Sequence, residues 1–243
     1  MTQPQSSTKR ALPPLPPLPI SSTNPDVVKE HAFRSNAHWI IPKILMQGGR
    51  PGASSSCQES LLEQIRAIMV DAQCHTFVCL QAECEPQEGA TLLGGGGGCQ
   101  DDDDAANLAN YQREVLDVAG EINNMNGGTT NCKPEFLHYG IINMKTAKSI
   151  DSLSNAVHDL ASRIQSGENL YIHCWGGKGR AGIISTCLLG VLYPELDAEG
   201  ALAYVDELCQ LRNMDIGVRV RYHSPETEDQ KKQVTEFFRR IRA

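Results

Sequence analysis

A chain of 243 residues with a formal net charge of −7 fits one medium domain with appendages, or at most two small domains, and its acidity argues against a nucleic-acid binder, which carries a basic face. Hydrophobic residues make up 40% and aromatics 5% of it, enough for a sizeable core, and no apolar run of roughly 18 or more residues is present, so no transmembrane segment is expected. The nine cysteines are odd in number, scattered and without a C-x-x-C pair, which excludes a local zinc ribbon or thioredoxin motif and favours free thiols in a reducing cytoplasm.

Residues 1–35 read as a disordered Pro-rich tail. Lys9 and Arg10 are followed by no apolar stretch of the kind a secretory signal needs, and the alternation of Leu with Pro over Leu12–Ile20 suits polyproline II. Arg10 to Pro16 also has the basic-x-x-Pro-x-x-Pro spacing that SH3 domains dock, so an SH3-domain protein is a candidate partner beside the plainer reading of a solvated tail. Ordered structure is expected from about residue 36 to 243. Trp39–Met46 has strand character with a break at Pro42, and Gly48–Gly52 reads as a turn. Glu59–Ala72 shows helical spacing of Leu61, Leu62, Ile65, Ile68 and Met69. Thr76–Leu80 follows as a short apolar strand. This β-α-β opening points to a parallel sheet.

Residues of about 85–131 read as a Gly/Asp-rich insertion. It holds the run Gly94–Gly98, the acidic Asp101–Asp104 and a short helix over Tyr111–Val118. Four adjacent carboxylates suit a solvated loop better than a cation site. Glu135–Ile142 is the next strand. Ile150, Leu153, Val157, Leu160 and Ile164 then mark one face of a helix that Gly167 ends. Asn169–Cys174 is another strand, followed by a Gly-rich turn and an apolar helix over Ala181–Leu192. Helices near Asp197–Leu211 and Glu226–Arg242 complete the chain.

The chemistry is concentrated in Tyr171-Ile-His-Cys174-Trp-Gly-Gly-Lys-Gly-Arg180-Ala-Gly182. A strand delivers Cys174, a loop of Trp175, Gly176, Gly177, Lys178 and Gly179 follows, and Arg180 opens a helix. The glycines permit the dihedrals that turn successive backbone N–H groups inward, and the helix N-terminus adds its positive end. Arg180 can grip two phosphate oxygens at once. The same field favours the thiolate of Cys174, the nucleophilic form, placed beneath a bound phosphate for in-line attack. A Walker loop is excluded because Lys178 precedes Gly179 rather than Ser or Thr.

His173–Gly182 resembles the His-Cys-x5-Arg-Ser/Thr-Gly signature of cysteine-based protein tyrosine phosphatases, dual-specificity members in particular. The resemblance extends over about residues 36–240, and its specific part is the signature loop. It implies a three-layer α/β fold, a mainly parallel central sheet flanked by helices. It also implies hydrolysis of phosphotyrosine, with phosphoserine and phosphothreonine as further candidates, through a phosphocysteine intermediate, with no metal or cofactor. Cys174 would be the nucleophile, Arg180 the phosphate clamp, and Trp175 to Arg180 the phosphate-binding loop. Ser224–Gln230 resembles a late family segment whose Thr and Gln lie near the active site; an N-cap at Ser224 accounts for it equally.

Two positions depart from the pattern. Ala181 stands where the family has a Ser or Thr whose hydroxyl stabilises the departing thiolate, as it does in regenerating-liver-type relatives. Asn143 stands where the general acid is expected and cannot give up a proton as an acid does. Asp151 is the substitute candidate, with a helix N-cap as its alternative. Lys178 resembles the loop lysine of tensin-homologue lipid phosphatases. A phosphoprotein substrate therefore has two alternatives: a phosphoinositide, or a weakly active module that traps phosphorylated partners. Cys84 is a candidate resolving thiol for an oxidised Cys174.

Overall fold

The computed structural model describes residues 9–20, 25–34, 36–53, 60–94, 110–125, 131–213 and 222–243. The glycine run beyond Gly94, Asp101–Asp104, Cys57 and Cys99 lie outside them. A seven-stranded sheet runs β1 (Ala32–Arg34), β2 (Ala37–Ile41), β3 (Leu45–Gly49), β7 (Leu170–Cys174), β4 (Thr76–Gln81), β6 (Glu135–Ile141) and β5 (Thr91–Leu92) in spatial order. The pairings from β3 to β5 are all parallel, and β1–β2–β3 form an antiparallel edge. Pro42 sits in the tight turn between β2 and β3, where its missing N–H interrupts no ladder.

Side chains alternate across the sheet with the period of two that strands impose. Leu170 and Ile172 of β7 and Val78 of β4 join a core with α4 (Ile150–Gln165), α5 (Gly179–Leu192), α6 (Ala198–Gln210) and α7 (Glu228–Ile241). Tyr171 and Phe77 point the other way, into a core with α2 (Leu61–Arg66), the π-helical turn Ala67–Asp71 that continues it, and α3 (Gln112–Met125). Three layers result, as the resemblance implies. Helix α5 is buried along almost its whole length, which is why its sequence is apolar all round rather than striped. No helix among the described residues is long and apolar enough to cross a membrane.

The expected boundaries shift in four places. Gly48 and Gly49 belong to β3 rather than to a turn; a Cβ at Gly48 would lie 2.2 Å from the Tyr171 hydroxyl, so glycine is needed there for close packing. The helix beginning near Tyr111 runs on to Met125, because Val115, Val118 and Ala119 keep a buried face at helical spacing. The described part of the 85–131 insertion thus contributes an edge strand and a helix of the second core. Ser224 is not the N-cap of α7: Thr227 is, in a capping box with Gln230.

The fourth correction concerns the tail. Residues 9–20 lie along the domain rather than being free of it. The Arg10 guanidinium donates to the carbonyls of Gly167 (2.8 Å) and Glu168 (3.0 Å), and the Tyr193 hydroxyl donates to the Pro13 carbonyl at 2.9 Å. Leu12 and Leu15 pack against the α4–α7 core, and Ile20 is buried in it, with its N–H donated to Glu207 at 2.6 Å. Proline removes donors but leaves carbonyls and an apolar flank, and those are the groups the domain takes up. Residues 25–34 add α1 (Pro25–His31) and β1. Replacing Ile20 with Ala should therefore lower stability to urea by about 2–4 kcal/mol, the usual loss for emptying a buried aliphatic site; a change within about 0.5 kcal/mol, as at a free surface position, would show the segment undocked.

Candidate active site

Strand β7 ends at Cys174 and α5 begins at Gly179, so the loop between them lies at the carboxyl ends of the parallel strands, where open α/β sheets place ligands. Its shape is set by what holds its carbonyls. The Trp175 carbonyl accepts the N–H of Arg50 at 3.1 Å. Arg212 donates to Gly176 at 2.9 Å and to Gly177 at 2.7 Å, and Gln47 adds a second donor to Gly177 at 3.0 Å. The Lys178 carbonyl accepts the Ser224 hydroxyl at 3.0 Å and the Gly182 N–H at 2.8 Å. In a trans peptide the C=O and the following N–H point in opposite directions. Tying four successive carbonyls outward therefore turns the N–H groups of Gly176, Gly177, Lys178 and Gly179 to the other side, an anion cradle lined by backbone N–H groups.

Gly177 is the pivot. Its φ of +63° is open to glycine at no steric penalty, and a Cβ there would fall 2.1 Å from the Gly48 carbonyl. Arg212 is the outer clamp: it is buried, and its Nε donates to His38 at 2.8 Å while a second bond reaches the Gln47 carbonyl. Burial, and then the Arg212 charge, push the His38 pKa well below its ordinary value, so the ring stays neutral and can accept. Neither Arg212 nor Gln47 carries a motif. Their signal is only that polar side chains lie in otherwise apolar segments.

Cys174 is buried beneath the loop. Arg180 is 2% exposed and donates from Nη1 to both oxygens of Glu83 (2.8 and 2.6 Å) and to the Ile141 carbonyl at 3.2 Å. Burial works against its charge, yet the Glu83 bonds and the Cys174 sulfur outweigh that and raise its pKa. Burial likewise opposes ionisation of Glu83, but the Arg180 bonds prevail and its pKa is lowered. Glu83 thus anchors one end of the guanidinium as a carboxylate while the sulfur engages the same side chain. Sequence reasoning missed Glu83, although its place just past the end of β4 is a position where site residues are expected.

His173 shares a 2.7 Å hydrogen bond between its Nε2 and the Tyr111 hydroxyl. Burial, then the charge of Arg50, keep its pKa well below the ordinary histidine value, so it is a neutral buttress of the loop. Lys178 turns back over the loop, 3.5 Å from Glu226, with its Nζ 4.2 Å from the Tyr222 ring centroid. Glu226 also accepts the Gly179 N–H at 3.0 Å. Trp175 stands 46% exposed at the mouth. The Cys84 thiol lies against Arg50 at 3.4 Å and hydrogen-bonds to Cys79, which lowers the Cys79 pKa. Cys79 in turn faces His173 across the β4–β7 ladder.

Asp151 is not gathered into this site. The N-cap of α4 is Ser149, whose side chain accepts from Ser152, so Asp151 lies within the first turn rather than at the cap. It is exposed and ion-paired with Arg240. Arg240 lies ten residues beyond Gln230 on α7, about 15 Å along a helix axis, whereas Gln230 is the residue of α7 that reaches Gly179. Among the described residues, the carboxylates that do reach the loop are Glu83 and Glu226. Asn143 is exposed in the turn after β6, and Ala181 is fully buried at the start of α5.

A family model described as the Swiss Army Knife protein, DSP-PTPase phosphatase domain, matches residues 110–234, and a comparison with curated proteins finds no match. Among solved structures, the chain is similar to kinase associated phosphatase with its catalytic-site cysteine replaced by serine, at 16% identity and a TM-score of 0.54, covering 82% of this chain and 88% of that one. It is also similar to PTPMT1 in complex with PI(5)P, at 13% identity and a TM-score of 0.52, covering 85% and 96%. At such identities the likeness is one of fold.

Replacing Gly177 with Ala would force the loop away from Gly48 and abolish the positive φ. Affinity for inorganic phosphate, measured by calorimetry, should fall at least about tenfold, the loss of one or two charge-assisted hydrogen bonds. Unchanged affinity would mean that the cradle does not form as described.

Proposed function

Since the chain belongs to the Swiss Army Knife group of DSP-PTPase phosphatases, whose model covers just over half of it, we propose that it hydrolyses phosphomonoesters, phosphotyrosine first among them, through a phosphocysteine formed on Cys174. The observation that carries this reading is the set of outward-tied carbonyls over Trp175–Lys178, with Arg180 beside the Cys174 sulfur. A phosphate seated in the cradle receives backbone N–H groups and the guanidinium, while the sulfur lies beneath it. The thiolate attacks phosphorus, the P–O bond to the leaving group breaks, and water then cleaves the P–S bond.

The preferred substrate class follows from the leaving group. Asn143 supplies no acid, Asp151 is paired with Arg240, and Arg180 holds Glu83 as a carboxylate. A phenolic oxygen, already a stable anion, departs with less help than a serine or threonine alkoxide. The exposed Trp175, Ile142 and Met144 offer an aromatic ring apolar surface. Lys178 is engaged by Glu226 and Tyr222, which argues against a site tuned to a ring bearing several phosphates.

Hydrolysis of an aryl phosphate in EDTA tests the proposal. The wild type should turn over, and Cys174→Ser should fall by at least about 10³-fold, as removal of a covalent nucleophile does. Activity that survives the substitution would overturn the reading; phosphopeptide binding without wild-type turnover would leave a phosphate-binding module. In the same assay Asp151→Asn should stay within about twofold of wild type, because a carboxylate that does not touch the reacting atoms contributes nothing to proton transfer; a loss of about a hundredfold would restore Asp151 as the acid.

A further inference from the structure

Among the described residues two carboxylates reach the loop, Glu83 through Arg180 and Glu226 directly, and they are bound in different ways. Glu83 has both oxygens on the Arg180 Nη1, which leaves it fixed behind the guanidinium. Glu226 has one oxygen on the Gly179 N–H at 3.0 Å and the other 3.5 Å from Lys178. The peptide joining Lys178 to Gly179 decides where that places it. The carbonyl of this peptide is tied outward by Ser224, so its N–H faces the cradle, and the group that accepts this N–H stands on the cradle side. Its backbone is fixed there: the Glu226 N–H donates to Gln230 Oε1 at 3.0 Å, and Gln230 Nε2 is anchored on the Lys145 carbonyl at 3.0 Å. Its side chain is 31% exposed, so solvent water reaches it.

Resting on the phosphatase reading above, we propose that Glu226 is the catalytic base of the second half-reaction, taking a proton from the water that hydrolyses the phosphocysteine. One oxygen accepts the Gly179 N–H and the other faces the Lys178 ammonium, contacts that hold an acceptor carboxylate at the edge of the seat. The water oxygen bonds to phosphorus as the P–S bond breaks. The bonding pair stays on Cys174 as thiolate, the water proton passes to the Glu226 carboxylate, and inorganic phosphate leaves; Glu226 then returns the proton to solvent. Ala181 offers no hydroxyl to the departing sulfur, so activation of the water carries more of this step. The same side chain links the base to the cradle. While the seat is empty Glu226 covers the Gly179 N–H, and a phosphoryl group that claims that N–H leaves the carboxylate beside it, where a water bound between the two is in position.

Glu226→Gln keeps an oxygen acceptor for the Gly179 N–H and removes the basicity. Quenched-flow kinetics with an aryl phosphate on the full chain separates the two steps. The first-turnover burst of phenol should persist at about one per site, while steady-state turnover falls about 10²-fold or more, as loss of a general base does. Intact mass after acid quench should show the phosphoryl adduct on Cys174 accumulating in the variant. Wild-type turnover in Glu226→Gln without extra adduct would overturn the inference and leave the phosphatase reading standing. Loss of the burst as well would overturn it in favour of a purely structural part for Glu226. Failure of the wild-type protein to form any Cys174 adduct would instead overturn the reading on which it rests.

Discussion

The site depends on carbonyls being held away from it. A loop of five residues has no regular ladder to orient its peptides, and left to solvent those peptides would sample both faces. Here each of four carbonyls has a donor from a different element: Arg50 after β3, Gln47 within β3, Arg212 after α6 and Ser224 before α7. Arg212 does the most, since one guanidinium ties two of the four together with the Gln47 carbonyl and is itself fixed by His38. A buried cation needs that many partners in any case, so satisfying Arg212 and shaping the loop are one requirement met once. His38 contributes by staying neutral, for a protonated ring could not accept from Arg212 Nε.

The fold makes this convergence possible. Parallel pairing puts the carboxyl ends of β3, β7, β4 and β6 on one edge of the sheet, and Gly48 faces His173 while Gly49 faces Cys174 across the β3–β7 ladder. Small residues there let the loop settle on the strand ends. From β4 comes Glu83, from the end of β6 the Ile141 carbonyl, and both meet Arg180. The docked Pro-rich segment works at a distance from this edge. It closes over the end of α4 and the side of α6, joining Arg10, Pro13 and Ile20 to helices whose other face supports α5.

Much of this was legible in the sequence where period and composition speak directly. The face of α4, the short apolar strands and the Cys174–Arg180 loop follow from residue spacing, the parallel sheet follows from strands that alternate with helices, and the three layers were implied by the resemblance. What was not legible depends on partners far apart in the chain. Asp151 looked like an acid or a cap because its neighbours in sequence suit both, yet its partner is Arg240 and the cap is Ser149. Arg212 and Glu226 are unremarkable as letters; they gain meaning only when α6 and α7 bring them within reach of Gly177 and Gly179. The Leu-Pro alternation reads as a solvated tail because proline forbids ladders, and that argument does not foresee a surface that takes up its carbonyls and leucines.

The charges around the loop also bear on how it handles an anion. Its two cations are each paired before any phosphate arrives, Arg180 with Glu83 and Lys178 with Glu226, in a protein whose net charge is −7. Attraction at long range is therefore weak, and recognition rests on oriented dipoles at short range. Such dipoles are effective because they are fixed in advance and need no reorganisation as charge moves onto the transferring group. Paired cations serve the same end: Glu83 holds the guanidinium at one nitrogen so that the rest of it is already aimed, as a bidentate clamp must be. The arrangement trades speed of capture for precision of placement, which suits the in-line attack proposed for Cys174.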